Sequence, residues 1–374
     1  MRLTFPDQTT IDWPTKTLPH DGIELTTPTD RADWLALRQR DVTASVAGAL
    51  LGVHDFQSAL GLWGLKVGRI QEDPEESSAM RRGRMLEPVA LQMLREERPG
   101  WKIGGGVNFY WRDPQRRIGA TPDCYVIDEN GDHCIVQFKT VEPSVFVAKW
   151  QGGDRYGVVD PPLWIVVQAL IEAYLTGAKR AFVAALVVSF GIDLKIIEIP
   201  LHAGVLERLF EEVAAFWDLV ASGKTPAPDY GQDAELIAKF FPVADGLVLD
   251  LTDDNQLPDL VARDETLRLA AKAATDERAE VRAEIAHKLG IAAKLAGDGR
   301  PGESTVAIYQ GGIVSAKNVF RASYTVKDTT YLDLRCKPGK SLGDEKAAKA
   351  VKPKRGATAP KKPAPIATSE PEVF

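Results

Sequence analysis

Few residues in this chain suit a structural metal centre. Among its 374 residues there are three cysteines, Cys124, Cys134 and Cys336, and five histidines. The cysteines form no CxxC pair and the histidines show no paired ligand spacing. Neither a structural zinc site nor an iron–sulfur cluster is therefore expected.

Long apolar runs and an excess of basic residues are also lacking. No stretch approaches the roughly 20 apolar residues of a membrane span. The opening MRLTFPDQTT lacks the basic and then apolar pattern of a signal peptide. The net charge of −6 argues against wholesale coating of nucleic acid, although an acidic body can bind DNA through a local basic groove. We expect a cytoplasmic protein that has no membrane segment.

Changes in composition divide the chain into four predicted parts. With 44% hydrophobic residues, the chain can bury a full core. Beyond the core, an Ala-, Glu-, Arg- and Lys-rich stretch favours a long helix or helical hairpin, and Gly311-Gly312 indicates a β-hairpin turn. The last part is rich in Ala, Lys and Pro, which predicts disorder. The predicted parts are a core (1–225), a linker with the long helix or helical hairpin (226–300), a small β-hairpin region (301–339) and a disordered tail (340–374).

Hydrophobic periodicity predicts the architecture of the core. Residues 78–97 have the pattern of an amphipathic helix, and the segments VNFYW, RRIGA, CYVID and HCIVQFKT that follow are typical of strands. The apolar segment LWIVVQALIEAYLTG then indicates a second helix, followed by two further strands and another helix. This order predicts an α/β fold with a mixed β-sheet flanked by helices.

Two polar side chains interrupt the apolar strand CIVQFKT. Gln137 and Lys139 are two positions apart and therefore face the same side of a strand. Asp123, in GATPD, precedes the previous strand by a spacing that allows it to lie beside them in an antiparallel pair. A carboxylate, a second side-chain oxygen and the Phe138 carbonyl could hold Mg²⁺, while Lys139 orients an attacking water. The pattern is suited to hydrolysis of phosphodiesters.

The same motifs resemble a known family. Pro122-Asp123 with Gln137-Phe138-Lys139 is similar to the PD-(D/E)XK nuclease signature. The segments WLALRQRDVTASVAGALLG, LWGLKVG, GRMLEP, GATPD, QFKT and VVQALIEAYLTG occur in the order and spacing of the YqaJ-type viral recombinases, the group that includes phage lambda exonuclease. The resemblance covers about residues 31–200 and implies a PD-(D/E)XK restriction-endonuclease-like core.

The resemblance implies roles for several side chains. Asp123 and Gln137 match the metal-binding acids, Phe138 offers its carbonyl, and Lys139 matches the catalytic lysine. Glu87, in GRMLEP, matches the helix glutamate that approaches a metal or its waters. Taken alone, however, Glu87 is more often a solvated helix acid, and an Asp after proline is a common turn arrangement.

Three further residues match positions outside the catalytic strands. By the resemblance, Arg38 and Ser45 hold a terminal 5′-phosphate, and Gln168 lies near the active centre. A planar guanidinium suits bidentate phosphate binding. Without the resemblance, Arg38 would more often pair with a nearby acid, Ser45 would more often cap a helix, and Gln168 would more often hydrogen-bond within the core.

The family implies a specific activity and set of partners. The implied enzyme is a magnesium-dependent exonuclease, with Mn²⁺ as a possible substitute, that digests one strand of linear double-stranded DNA from its 5′ end in phage-type recombination. Its implied partners are double-stranded DNA ends and a phage single-strand annealing protein, and its relatives form homotrimers. The C-terminal SEPEVF is similar to the acidic, aromatic-ended tips of bacterial single-strand-binding proteins, so we further predict a partner-recruiting segment, with a host single-strand-binding protein as the candidate partner.

Gln137 stands where the family mostly has a carboxylate. An amide oxygen can coordinate Mg²⁺ but brings no charge, so metal affinity should fall. The site could work naturally with glutamine, a glutamate could have been replaced to trap a complex, or the protein could be a catalytically silent binder of DNA ends. An endonuclease on the same core is a further alternative.

Overall fold

The computed structural model describes residues 1–15, 18, 21–71, 77–107, 109–150, 159–242, 246–296, 305–310 and 312–316. Contacts within the chain divide it into two compact units, Met1–Pro242 and Val243–Phe374. None of the helices in these ranges is long and apolar enough to cross a lipid bilayer. The four-part division expected from composition stays a prediction.

The first unit is a mixed α/β structure. Its described strands are β1 (Arg2–Thr4), β2 (Thr10–Asp12), β3 (Glu24–Thr26), β4 (Val42–Thr43), β5 (Lys102–Gly105), β6 (Tyr110–Asp113), β7 (Ile118–Ala120), β8 (Cys124–Ile127), β9 (His133–Val141), β10 (Arg180–Val188) and β11 (Ile192–Ile199). Its described helices are α1 (Arg31–Arg40), α2 (Ala44–Ala47), α3 (Ala59–Lys66), α4 (Ser78–Glu97), α5 (Pro143–Lys149), α6 (Leu163–Thr176), α7 (Ala203–Ser222) and α8 (Ala234–Phe240).

A five-stranded sheet forms the centre of this unit. Its strand order is β11-β10-β9-β8-β5, in which β9 and β10 are parallel and the other neighbours are antiparallel. The parallel pair lies inside the sheet, and both of its strands are mostly apolar along their length, as strands covered on both faces should be. The predicted mixed sheet is confirmed.

Helices cover both faces of the sheet. Successive side chains of β9 point to opposite faces and show which helix covers each face. Ile135 packs in a cluster with α6 residues such as Leu170. Its neighbour Val136 packs in a second cluster with Leu94 of α4. The sheet therefore lies between α6 on one face and α4 on the other, and α4 has the bounds predicted from the sequence.

The strands before β8 do not continue the central sheet. A four-stranded sheet with the order β3-β6-β7-β4 contains both β6 and β7, although the sequence predicted a single mixed sheet for the core. The chain leaves this sheet at Ala120 and enters the central sheet at Cys124. Pro122, between them, has no N–H to donate to a ladder, which favours a change of sheet at this point.

The second unit contains a long helix and a hairpin. The helix α9 (Leu257–Ala296) is continuous over 40 residues, and its Ala-, Glu-, Arg- and Lys-rich composition favours this conformation. The strands β12 (Thr305–Tyr309) and β13 (Gly312–Ala316) pair antiparallel, and Gly312, expected in the turn, is instead the first residue of β13 and pairs with Tyr309. The Lys/Pro-rich tail and SEPEVF lie outside the described residues.

Candidate active site

Asp123 and Gln137 lie beside each other, as the sequence spacing predicted. The antiparallel register pairs Cys124 with Val136, so the preceding Asp123 comes opposite Gln137. The Asp123 Oδ2 atom accepts a hydrogen bond from the Phe138 backbone N–H at 2.8 Å and another from Gln137 Nε2. The carboxylate is therefore anchored to β9 by a backbone donor and by the Gln137 side chain.

The Gln137 amide has one satisfied end and one open end. The side chain is only 4% exposed, and its Nε2 group donates to Asp123. Within the described part of the chain, its buried Oε1 atom accepts no hydrogen bond. A buried acceptor without a donor costs free energy, and one explanation for such a group is an ion that is not part of the protein.

Glu87 approaches this group from α4. Ser77 caps the helix by accepting a hydrogen bond from Met80 N–H, and Glu87 follows at the middle of the helix. Glu87, Asp123 and Phe138 line one cavity of about 180 Å³. The Glu87 and Asp123 carboxyl groups thus share a small, partly closed space.

Burial and repulsion between these acids change their proton affinities. Burial raises the pKa of Asp123, and the nearby charge of Glu87 raises it further, to about 7. Burial also raises the pKa of Glu87 above its usual range. The charge of Lys139 and the hydrogen bonds from Phe138 and Gln137 oppose the rise in the pKa of Asp123 only in part, and a divalent cation would oppose it further.

The donor set fits one hard cation that retains part of its water shell. Across the described ranges, no three His, Cys, Asp or Glu side chains are grouped for metal binding. Two carboxylates, from Asp123 and Glu87, could instead be joined by neutral oxygens from Gln137 and Phe138. Mg²⁺ commonly binds one or two carboxylates and keeps several waters, so these residues are compatible with it.

Lys139 lies on the α6 side of the sheet and is held there by two contacts. Its Nζ atom donates a hydrogen bond to Gln168 Oε1 at 2.8 Å and lies 5.2 Å from the centre of the Trp164 ring. Burial lowers the pKa of Lys139, whereas the charges of Asp123 and Glu172 oppose that shift. The structure therefore joins Lys139 to Gln168, a residue that the sequence placed near the site.

Glu172 was not identified from the sequence. Its Oε1 atom accepts a hydrogen bond from Gln168 Nε2 at 2.8 Å, one helical turn away in α6, and the residue is 0% exposed. A signal was present, because an acid in the apolar segment LWIVVQALIEAYLTG needs a buried partner. The strength of that signal is low without the fold, since the sequence does not show which face of α6 meets the sheet.

Arg38 lies near the link that carries Asp123. Its guanidinium carbon is 4.3 Å from the centre of the Trp34 ring, and Trp34 Nε1 donates to Thr121 Oγ1 at 3.3 Å. Thr121 is two residues before Asp123. The Trp34 side chain therefore lies between the partly buried Arg38 and residues 121–123, the segment that contains Asp123.

Ser45 is connected through His54 to Trp164, the aromatic residue beside Lys139. Ser45 is the second residue of the short helix α2. The N-cap residue of this helix, Thr43, makes no capping hydrogen bond through its side chain. His54 Nδ1 accepts from the Phe56 N–H, so Nε2 carries the proton that is donated to the Ser45 carbonyl at 3.0 Å. The His54 ring centre lies 4.9 Å from that of Trp164, the ring that also lies near Lys139 Nζ.

A comparison with known protein families shows a similarity over part of the chain. Residues 33–179 match the model of the YqaJ-like viral recombinase domain. The search of curated proteins gave no match. The matched range contains every site residue described above.

Solved structures give more distant similarities. An alkaline exonuclease from Laribacter hongkongensis is 20% identical, with 51% of this chain and 93% of that chain covered and a TM-score of 0.41. The structure of the same exonuclease in complex with dAMP is 20% identical, with 51% of this chain and 93% of that chain covered and a TM-score of 0.40. The SOX protein of KSHV in an RNA complex is 10% identical, covers 52% of this chain and 71% of its own, and has a TM-score of 0.31. The similarity to the YqaJ-like viral recombinase domain covers residues 33–179, which is less than half of the chain.

Proposed function

We propose, from the premise that residues 33–179 of this chain are a YqaJ-like viral recombinase domain, that the protein is a divalent-metal-dependent exonuclease. Its substrate is linear double-stranded DNA, from which it removes nucleotides of one strand in the 5′-to-3′ direction. The observation that carries this proposal is the grouping of Asp123, just before β8, with Gln137, Phe138 and Lys139 on the facing part of β9, and with Glu87 alongside.

Each residue has a defined task in the proposed hydrolysis. Asp123 and Glu87, with the oxygens of Gln137 and Phe138, would hold Mg²⁺, or Mn²⁺ in its place. A metal ion bound there would supply Lewis-acid stabilisation and lower the pKa of water. The Lys139 ammonium donates hydrogen bonds to the attacking water and offsets charge that develops on the phosphate oxygens. Gln168 holds the ammonium in position.

The proposal also covers how the protein recognises a DNA end and which proteins it works with. Arg38 and Ser45 would bind the terminal 5′-phosphate, which selects an end and sets the direction of digestion. The remaining 3′ strand is a substrate for a phage single-strand annealing protein, the expected partner in recombination. A homotrimer and binding of a host single-strand-binding protein through the C-terminal residues are further parts of the proposal.

A comparison of DNA topologies tests the activity. The protein is incubated in Mg²⁺ or Mn²⁺ with linear duplexes that carry or lack a 5′-phosphate, and with closed circular duplexes of the same sequence. Digestion of the linear DNA alone, with preference for the phosphorylated end, is expected. Cutting of closed circles would instead support an endonuclease, and the sequence of released nucleotides reports the direction.

A silent DNA-end-binding protein is the second candidate. The neutral Gln137 amide favours it, because the site has one carboxylate fewer than a PD-(D/E)XK nuclease with glutamate at this position. The Gln137 NH₂ group also donates a hydrogen bond to Asp123 Oδ2, an oxygen that could otherwise bind the metal. This candidate predicts tight binding of linear ends without release of nucleotides.

Replacing Asp123 by asparagine should stabilise the metal-free protein at pH 8. The folded-state pKa of Asp123, about 7, lies above its ordinary value of 3.8, so folding opposes ionisation. Wild-type stability therefore falls as pH rises from about 4 to 7, and this loss is absent in Asp123→Asn. We expect a melting temperature several degrees higher than wild type at pH 8 and little difference at pH 4.

Addition of Mg²⁺ should reverse that order. Thermal unfolding with and without Mg²⁺ is expected to show stabilisation of wild type and almost none of Asp123→Asn, because ligand binding to the folded state raises its stability. Equal Mg²⁺ stabilisation of both proteins would contradict the placement of the metal at Asp123.

Arg38→Gln should weaken recognition of the DNA end. A hydrogen bond to a charged group is worth about 1.5–3 kcal/mol, so the preference for 5′-phosphorylated over unphosphorylated ends should fall about tenfold or more. Digestion rates of the two substrates at low DNA concentration measure this preference. Arg31→Gln, at the exposed start of the same helix, is the control and should keep it.

A further inference from the structure

Glu172 is a fully buried carboxyl group in an otherwise apolar part of α6. The residues around it in sequence, Leu170, Ile171 and Ala173, are buried and hydrophobic. Removing a carboxyl group from water is costly unless hydrogen bonds or charges compensate it. Among the described residues, its Oε2 atom has no hydrogen-bond partner, so the environment compensates the group only in part. A leucine at this position would suit the helix better.

The side-chain hydrogen bond that Glu172 makes in the described structure leads to Lys139. Glu172 Oε1 accepts from Gln168 Nε2 at 2.8 Å, and Gln168 Oε1 accepts from Lys139 Nζ at 2.8 Å. A primary amide has a donor end and an acceptor end, whereas an ammonium group can only donate. The Gln168 amide is useful to Lys139 only in the orientation that turns its oxygen toward Nζ.

Glu172 selects that orientation. With an acceptor at Glu172, the NH₂ group of Gln168 gains a hydrogen bond when the amide oxygen faces Lys139. Without the acceptor, the amide would lose this bond and could rotate by about half a turn, which would direct its NH₂ group at the ammonium. The two interactions also polarise the amide in the same direction, so each strengthens the other.

We propose that Glu172 is a positioning residue for Lys139 and acts on it through the Gln168 amide. It holds the lysine where the ammonium can reach the attacking water and the phosphate, and it does not itself contact substrate. The inference rests on the proposed nuclease function, to which it adds a residue that neither the family match nor the sequence motifs assign.

A double-mutant cycle on hydrolysis tests the proposal. Wild type, Gln168→Met, Glu172→Leu and the double variant are compared by kcat and KM on a linear 5′-phosphorylated duplex. Each single variant is expected to lower kcat about tenfold with KM nearly unchanged, and the double variant should be no slower than Gln168→Met alone. Glu172→Gln should restore kcat to within about threefold of wild type, because its amide oxygen can accept from Gln168.

A matched control separates positioning from general damage to the helix. Thr176 lies one turn beyond Glu172, is also buried, and donates its hydroxyl to the Glu172 backbone carbonyl. Thr176→Val should leave kcat unchanged in both the wild-type and Gln168→Met backgrounds. Thermal unfolding of every variant checks the fold, and Glu172→Leu is expected to melt no lower than wild type.

Two kinds of failure are distinguishable. If wild type cleaves DNA and the effects of Gln168→Met and Glu172→Leu multiply, or if Glu172→Leu retains full kcat, the positioning role is overturned while the nuclease stands. If wild type is silent and Gln137→Glu cleaves, the cycle is measured in that background. If neither cleaves, the proposed function fails and the positioning role fails with it.

Discussion

Replacing Lys139 by methionine is expected to lower kcat for hydrolysis of linear duplex DNA by about 10² to 10³-fold. Methionine keeps much of the length of the side chain but removes the ammonium that would stabilise charge on the phosphate, and the loss of one such donor typically has this magnitude. Because Lys139 is joined to Gln168 on the α6 side of the sheet and the proposed 5′-phosphate ligand Arg38 lies elsewhere, the binding of DNA ends should change far less.

Single-turnover cleavage and end binding in Ca²⁺ measure the two effects separately. Lys179→Met is the matched control, since Lys179 is an exposed lysine that pairs with Asp132 just before β10, away from the site. Exposed ion pairs contribute little, so the control should behave as wild type. Unchanged cleavage by Lys139→Met would remove this lysine from the proposed mechanism.

Gln137→Glu is expected to raise Mg²⁺ affinity about tenfold or more and to increase cleavage at limiting Mg²⁺. The substitution adds a full negative charge where the Gln137 Oε1 atom has no partner in the described structure. It also replaces the NH₂ group that donates to Asp123 by an oxygen, so two carboxylates face each other in the metal-free state. Without metal, the variant should therefore melt below wild type, and Mg²⁺ should raise its melting temperature more.

The size of the gain in cleavage separates the explanations for the amide. Wild-type cleavage with a modest increase would show a site that works with glutamine. Cleavage only by Gln137→Glu would show a wild-type site silenced by the amide, and the protein would act as a binder of DNA ends. An Mg²⁺ titration of cleavage and unfolding makes the comparison, and no change in either measurement would contradict a metal at this position.

Local patterns predicted the part of the site that depends on two neighbouring strands. The spacing between Asp123 and Gln137 and the turn between their strands were sufficient to place the two residues together, because an antiparallel register follows from local sequence. The period of helix α4 likewise gave the helix that carries Glu87. These interactions join residues that are close in sequence, and they give a regular hydrophobic periodicity.

Contacts between distant segments could not be predicted in the same way. The separate sheet that contains β6 and β7 depends on pairing with β3 and β4, about 70 to 90 residues earlier in the chain, and no periodicity records that choice. Glu172 is a similar case. Its importance depends on which side of α6 meets Lys139, and a single acid in an apolar helix does not define that direction.

The link between the two sheets has a consequence for the size of the product. Asp123 belongs to the three residues, 121–123, that join β7 to β8, while β7 pairs directly with β4, the strand before Ser45. In the proposed nuclease, the strand before the proposed 5′-phosphate ligand Ser45 is therefore connected to Asp123 through β7 and residues 121–122. We expect this short connection to fix the distance between a bound 5′ end and the cleaved bond, so that products from duplexes of different sequence should have the same length.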